Sequence, residues 1–249
     1  MYQFSVEPNQ INLQDKKVII LGSDVKHIKN VLRMKPGEEL SVSNGQDGRE
    51  YRCGIVELSE ECVICELRFI KEDNVELPSG IYLFQGLPKS DKMEWIIQKA
   101  VELGVREVIP VATKRCVVKL DEKKAASKTA RWQGIAEAAA KQSKRGIVPT
   151  VSNVMGFREA IQKASDMDVR LIPYELAEGM ERTREIFEAL QPGQDVAIFI
   201  GPEGGFEESE IQYARENGVE PITLGKRILR TETAGMTVLA WLGYILEDR

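Results

Sequence analysis

"IGPEGGFEESEI", residues Ile200 to Ile211, sets three glycines and a proline between an apolar run and the acidic start of a helix. A simple connector does not need that much backbone freedom. Glycine at this density lets main-chain N–H and C=O groups come close to a ligand where a strand hands over to a helix. The stretch has neither G-x-G-x-x-G nor the Gly-Lys-Ser/Thr ending of a nucleoside-triphosphate loop, so the expected ligand is of another kind.

Working outward, "VRLIPYE", "VAIFIGPE" and "PITLG" read as strands, each followed by a helical segment at about 181–190, 207–217 and 231–246. Farther upstream, "GIYLFQGL" and "EVIPVAT" bracket the helix "SDKMEWIIQKAVELG", in which Asp91 and Glu94 are start signals and Gly104 a stop. "ARWQGIAEAAAKQSKR" is a second helix. Strand and helix in turn predict an α/β fold with a parallel sheet covered on both faces and ligands at the carboxyl ends of its strands. Three loops therefore become candidates together: "PYELAEG", "GPEGGF" and "GKRILRTETAG". In the last, Ile228 and Leu229 lie between Arg227 and Arg230; they either clasp a flat heterocycle or plug the core.

The first 70 or so residues read differently. "KVIIL", "ELSVSN", "EYRCGIVEL" and "CVICELRFI" are short strands separated by turn signals, which predicts a small β-barrel. The helical insert "DVKHIKNVLRM" has Asp24 as a cap and Ile28, Val31 and Leu32 on one face. "KEDNVELPSG" places a boundary near residue 73, giving domains 1–73 and 74–249. In "ECVICEL", strand alternation turns Val63 and Cys65 one way and Cys62 and Ile64 the other, which splays the Cys62 and Cys65 thiols apart. With Cys53 and Cys116 they read as buried free thiols, and no metal site is expected.

The 249 residues, 43% hydrophobic and 29% charged, are enough to bury a full core. Met1 is followed by no basic and apolar leader, and no apolar stretch approaches the roughly 20 residues of a membrane span, so a cytoplasmic location is expected. The formal charge of −5 is unevenly spread. Residues 87–145 carry 14 Lys/Arg against 7 Asp/Glu, whereas residues 146–249 carry 10 against 18. The basic block is either a polyanion contact or a solvated helix surface.

"LIPYE", "IGPEGGFEESEI" and "LGKRILRTETAGMTVLA", in this order, closely resemble the ribosomal RNA small subunit methyltransferase E family of the SPOUT class. "QGLPKSDKMEWIIQKAVELGV", "RWQGIAEAAAKQSKR" and "HIKNVLRMKPGEEL" extend the likeness over essentially the whole chain. The resemblance implies a PUA-like N-terminal RNA-binding β-barrel, a trefoil-knotted C-terminal domain that binds S-adenosylmethionine, and a homodimer. The implied reaction is methylation of N3 of one uridine, conventionally U1498, in 16S ribosomal RNA of the small ribosomal subunit.

By the same resemblance, the cofactor walls are Leu171, Pro173 and Glu175 in the first loop; Ile200, Gly201, Glu203, Gly204 and Gly205 in the second; and Leu224, Gly225, Ile228, Leu229, Thr231, Thr233 and Ala234 in the third. Glycines 201, 204 and 205 are expected to admit the cofactor, and the aliphatic side chains to pack on adenine. Glu203 either serves the pocket or bonds its own loop, while Glu207, Glu208 and Glu210 favour the next helix's N-terminus. Arg230 is the catalytic candidate, a cation beside the uracil carbonyls as N3 loses its proton; the alternative is an ion pair with Glu232 or Glu203. No general base stands out, and His27 reads as structural or RNA-facing. RNA contacts are expected at Arg33, Lys89, Lys92, Arg131, Gln142 and Arg145. Gln3 stands where many family members have an arginine, so that contact does not carry over. Competing readings are a SPOUT enzyme acting on another base or a ribose, a non-catalytic ribosome-assembly factor, and a nucleotide-dependent oxidoreductase whose fingerprint is missing.

Overall fold

The period-two pattern of the N-terminal strands is what closes their core. A computed structural model describes residues 1–72, 75–175, 177 and 179–247. The expected boundary at residues 73 and 74 lies outside the described residues. The chain forms two compact units, one of Met1–Glu76 with Ala140–Val148 and one of Leu77–Ala139 with Pro149–Arg249.

In the first unit, strands β1 (Gln3–Ser5), β2 (Ile11–Asn12), β3 (Lys17–Leu21), β4 (Glu39–Ser43), β5 (Glu50–Leu58) and β6 (Cys62–Lys71) form one sheet in the order β1-β4-β5-β6-β3-β2. Val63 and Cys65 of β6 are fully buried, while Cys62 and Ile64 are half-exposed, as the alternation predicts. Burial pushes the Cys53 and Cys65 thiols up to about 12, so both are neutral packing groups.

The helical insert departs from expectation. Helix α1 (Ser23–Lys26) is one turn long and opens into a π-turn over His27–Val31, where the Leu32 N–H reaches the His27 carbonyl at 2.9 Å. The wider turn changes which residues share a face. Ile28 is fully buried, but Val31 is 66% exposed. Asp24 sits inside the first turn and makes no cap bond; its carboxylate accepts from Lys141 Nζ at 3.2 Å.

Residues 140–148, which the sequence places in the 74–249 domain, pack within the first compact unit. Arg145 and Glu76 form a buried ion pair, their side chains 5% and 9% exposed, and the Arg145 Nε–Oε2 distance is 3.0 Å. Glu76 also accepts from the Ile147 N–H at 3.2 Å. The Val148 N–H donates to the Gly45 carbonyl at 2.9 Å. Gly146 lies so close to Gly48 that a Cβ would stand 2.6 Å from its carbonyl oxygen. These contacts join segments far apart in sequence, which local patterning does not reveal.

The second unit carries β7 (Ile81–Gly86), α2 (Lys92–Glu102), β8 (Glu107–Ala112), α3 (Glu122–Gln142, whose last turn enters the first unit), β9 (Thr150–Val151), β10 (Met155–Gly156), α4 (Phe157–Lys163), β11 (Val169–Pro173), α5 (Met180–Ala189), β12 (Val196–Ile200), α6 (Glu208–Glu216), β13 (Glu220–Ile222) and α7 (Thr231–Leu246). The sheet runs β10-β8-β7-β12-β11-β13, with β9 also on β8, and every pairing is parallel. Phe84, Ile172, Ala197 and Phe199 pack with Phe157 and Ile161 of α4 and Ile211 and Ala214 of α6. On the opposite face Gly235 of α7 packs toward Leu83, Gln85 and Ile200. Both faces are thus covered.

Helix α2 follows its sequence pattern. Met93, Ile96, Ile97, Ala100 and Val101 make one buried stripe. Gly104, at φ +89°, ends the helix as its N–H bonds the Val101 carbonyl and the Val105 N–H bonds that of Ala100. Asp91 makes no side-chain cap bond.

Candidate functional site

Strand register brings the three glycine-bearing loops together. Leu171 pairs with both Ile198 and Glu220, so two residues on, Pro173, Ile200 and Ile222 end level in adjacent strands. Their loops enclose a cleft of about 710 Å³, within the range of about 300–1,000 Å³ usual for small-molecule sites.

The walls are tied to one another by polar contacts. Thr231, the first residue of α7, donates its hydroxyl to the Gly201 carbonyl at 2.5 Å and accepts from Gln85 Nε2 at 2.9 Å. Gln85 is fully buried at the end of β7, where a polar side chain in an apolar strand was the available signal for its role. The Thr183 hydroxyl of α5 donates to the Thr223 carbonyl and accepts from its N–H, both at 3.2 Å. The Glu207 N–H bonds Glu210 at 2.9 Å in a capping box that starts α6, so these acids serve the helix end.

Glu203 accepts from the Lys89 N–H at 3.1 Å and from Lys92 Nζ at 3.0 Å. Burial raises its pKa, but bonds from its own backbone, Lys92 and Lys89 together outweigh burial and hold the carboxyl below the ordinary range. Lys92 also lies 3.4 Å from Glu232 Oε2, and its bond to Glu203 raises its own pKa. Lys92 therefore stands in the cleft wall, occupied by two carboxylates, rather than presenting a free cation to phosphate.

Because Glu203 and Glu232 are held by Lys92, Arg230 escapes the ion pair that was its alternative role. Arg230 is the exposed N-cap residue of α7 and lines the cleft; among the described residues no carboxylate pairs with it. Lys226 and Arg227 stand beside it in the same loop, exposed and likewise without an ion pair among the described residues.

The cleft gathers Pro173, Glu175, Ile200, Gly201, Glu203, Gly204, Gly205, Leu224, Gly225, Ile228, Leu229, Thr231 and Ala234. Two expected members stand apart. Leu171 is sealed within the sheet, and Thr233 is an exposed α7 residue whose carbonyl accepts the Thr237 hydroxyl. Tyr174, Lys226 and Arg227, from the same loops, also line the cleft, and Thr223 and Lys92 line it from outside the three expected loops. The glycines also divide. Gly205 and Gly225 have φ of +65° and +102° with open space where a Cβ would lie, whereas a Cβ on Gly204 would meet Arg115 at 3.2 Å.

Among the RNA candidates, Arg33, Lys89 and Gln142 are exposed, and Arg131 is exposed but paired with Glu94 at 2.9 Å. Arg145 is the clear correction, because its guanidinium is committed to Glu76 inside the first unit. His27 is exposed and sets its ring edge-on to Phe4 at 6.3 Å. Among the described residues no group of three or more His, Cys, Asp or Glu side chains is arranged to hold a metal, and no helix is long and apolar enough to cross a membrane.

Residues 75–243 match the RNA methyltransferase domain family and residues 20–68 the RNA methyltransferase PUA domain family. The chain is 38% identical to ribosomal RNA small subunit methyltransferase E of Bacillus subtilis, over 99% of this chain and 98% of the relative. It is 34% identical to the Mesomycoplasma hyopneumoniae protein of that name, over 96% and 97%. The crystal structure of a ribosomal RNA small subunit methyltransferase E from Neisseria gonorrhoeae bound to S-adenosylmethionine is 33% identical, covers 98% of each chain, and superposes with a TM-score of 0.82. Level strand ends, a three-loop cleft and likeness along the full length agree: the chain belongs to the ribosomal RNA small subunit methyltransferase E family.

Proposed function

We propose that this protein methylates N3 of a uridine, of the U1498 type, in 16S ribosomal RNA, with S-adenosylmethionine bound in the three-loop cleft. The carrying observation is the convergence of the loops after β11, β12 and β13 on one cleft with a cation on its wall, Arg230, that pairs with no carboxylate among the described residues.

The residues fit the cofactor. Gly205 and Gly225 leave an open cradle for close main-chain approach, and Ile200, Leu224, Ile228 and Leu229 offer apolar surface for adenine. Ile228, 87% exposed in this structure, has side-chain area free to be covered by a flat ring. When bound, S-adenosylmethionine supplies an electrophilic methyl carbon activated by its sulfonium. The protein's task is then to hold the uracil nitrogen in line with that carbon and to favour loss of the N3 proton. Arg230 meets the second need as a cation for the uracil oxygens, where negative charge develops.

The finer architecture belongs to the same reading: a PUA barrel built from the first unit, a trefoil knot formed by the three loops and α7, and a cytoplasmic homodimer. The outward face of α7 supports the dimer, since Tyr244 is 89% exposed and Gly243 has no atom within 4 Å of its absent Cβ. RNA phosphates are assigned to Arg33, Lys89, Arg131 and Gln142. Titration calorimetry with S-adenosylmethionine tests the cofactor assignment: one site per chain is expected, and no heat of binding under conditions where the protein is folded would overturn it.

A further inference from the structure

The basic segment between β8 and α3 has a target within the protein itself. A tight turn, closed by the Cys116 N–H on the Thr113 carbonyl at 3.1 Å and anchored by the two buried side chains of Thr113 and Cys116, projects Lys114 and Arg115 toward the loop after β12. Arg115 Nη1 donates to the Gly204 carbonyl at 2.9 Å, and its Nε stands 3.3 Å from Glu207 Oε1 at the start of α6. Lys114 donates its backbone N–H to Glu210 at 2.9 Å and its Nζ to the Ser209 hydroxyl at 2.7 Å.

Gly204 shows how close this fit is. A Cβ there would come within 3.2 Å of Arg115 Cβ and 3.7 Å of its carbonyl oxygen, so the missing side chain of Gly204 makes room for Arg115. The Gly201–Gly205 wall is held at Gly201 by the Thr231 hydroxyl, at Glu203 by Lys89 and Lys92, and internally by the Gly205 N–H on the Pro202 carbonyl at 2.9 Å, while Arg115 holds the carbonyl of Gly204. Glycine main chain is conformationally permissive, so a further contact at Gly204 restricts the wall between those fixed points.

We propose that Arg115 is a positioning residue for the cofactor wall, clamping the Gly204 carbonyl and thereby the Glu203–Gly205 backbone that faces the cleft. The inference rests on the reading that this cleft binds S-adenosylmethionine. Arg115 is not among the residues that line the cleft, so its loss is expected to act on binding and not on the chemical step.

The test compares wild type, Arg115→Ala and Arg115→Lys by S-adenosylmethionine calorimetry and by single-turnover methyl transfer at saturating cofactor and RNA. Arg115→Ala is expected to weaken cofactor binding about five- to tenfold, the scale for losing a charged but partly exposed hydrogen bond. Its rate constant at saturation stays within about twofold. Arg115→Lys keeps the aliphatic stem and one donor, and restores affinity to within about threefold of wild type. Wild-type binding with unchanged Arg115→Ala affinity overturns the clamp alone, including the case in which only RNA affinity falls. Absence of wild-type binding overturns the cofactor reading and the clamp with it.

Discussion

Arg230→Ala is expected to lower the single-turnover rate of methyl transfer by about 10²–10³-fold while changing S-adenosylmethionine affinity by no more than about threefold. The asymmetry follows from where the charge appears. Uracil is neutral when it binds and becomes anionic only as N3 loses its proton, so a cation beside its oxygens acts chiefly in the transition state. Among the described residues no carboxylate pairs with Arg230: Lys92 pairs with Glu203 and Glu232, and the N-cap position of α7 carries the arginine to the cleft wall. Raising the pH should partly rescue the variant, because a larger fraction of uridine is then already deprotonated. A normal rate constant with weakened RNA or cofactor binding would make Arg230 a positioning residue and send the search for charge stabilisation to Lys226 or Arg227.

Arg145→Ala is expected to destabilise the fold by about 3–5 kcal/mol, because it removes the guanidinium that faces the buried Glu76 carboxylate. The Glu76 side chain is 9% exposed, and it accepts from Arg145 Nε at 3.0 Å and from the Ile147 N–H at 3.2 Å. Replacing both partners, as Arg145→Met with Glu76→Leu, removes both buried charges together and should recover most of the loss. Urea unfolding of the two variants measures this. A stable Arg145→Ala protein with selectively weakened RNA binding would instead return Arg145 to the RNA surface.

Arg145 also marks where sequence reading reached its limit. A basic cluster looks the same whether it faces phosphate or a carboxylate 69 residues away, and only the folded chain brings Glu76 beneath Arg145. Lys92, expected on the RNA, likewise pairs with Glu203 and Glu232, carboxylates more than a hundred residues away in sequence. Val31 was misplaced because an amphipathic count assumes α-helical turns, and the chain takes a π-turn there. Features governed by local physics were legible: the apolar stripe and glycine stop of α2, the inward Val63 and Cys65 of β6, and the acidic start of α6. The three loops were also legible, since strands that alternate with helices in a parallel sheet must put their carboxyl ends on one side. Gly204 reads as a cleft glycine, and the folded chain adds that a Cβ there would meet Arg115, a residue 89 positions distant.

The most direct test is to incubate the protein with S-adenosylmethionine carrying a labelled methyl group and 16S ribosomal RNA, free or in small subunits, then digest the RNA and identify the labelled nucleoside and its position by mass spectrometry. The expected result is 3-methyluridine at a single position, reaching about one methyl per RNA, with the label lost in Arg230→Ala at short times. Label on a ribose or on another base, or no transfer by a protein that binds both cofactor and RNA, would contradict it.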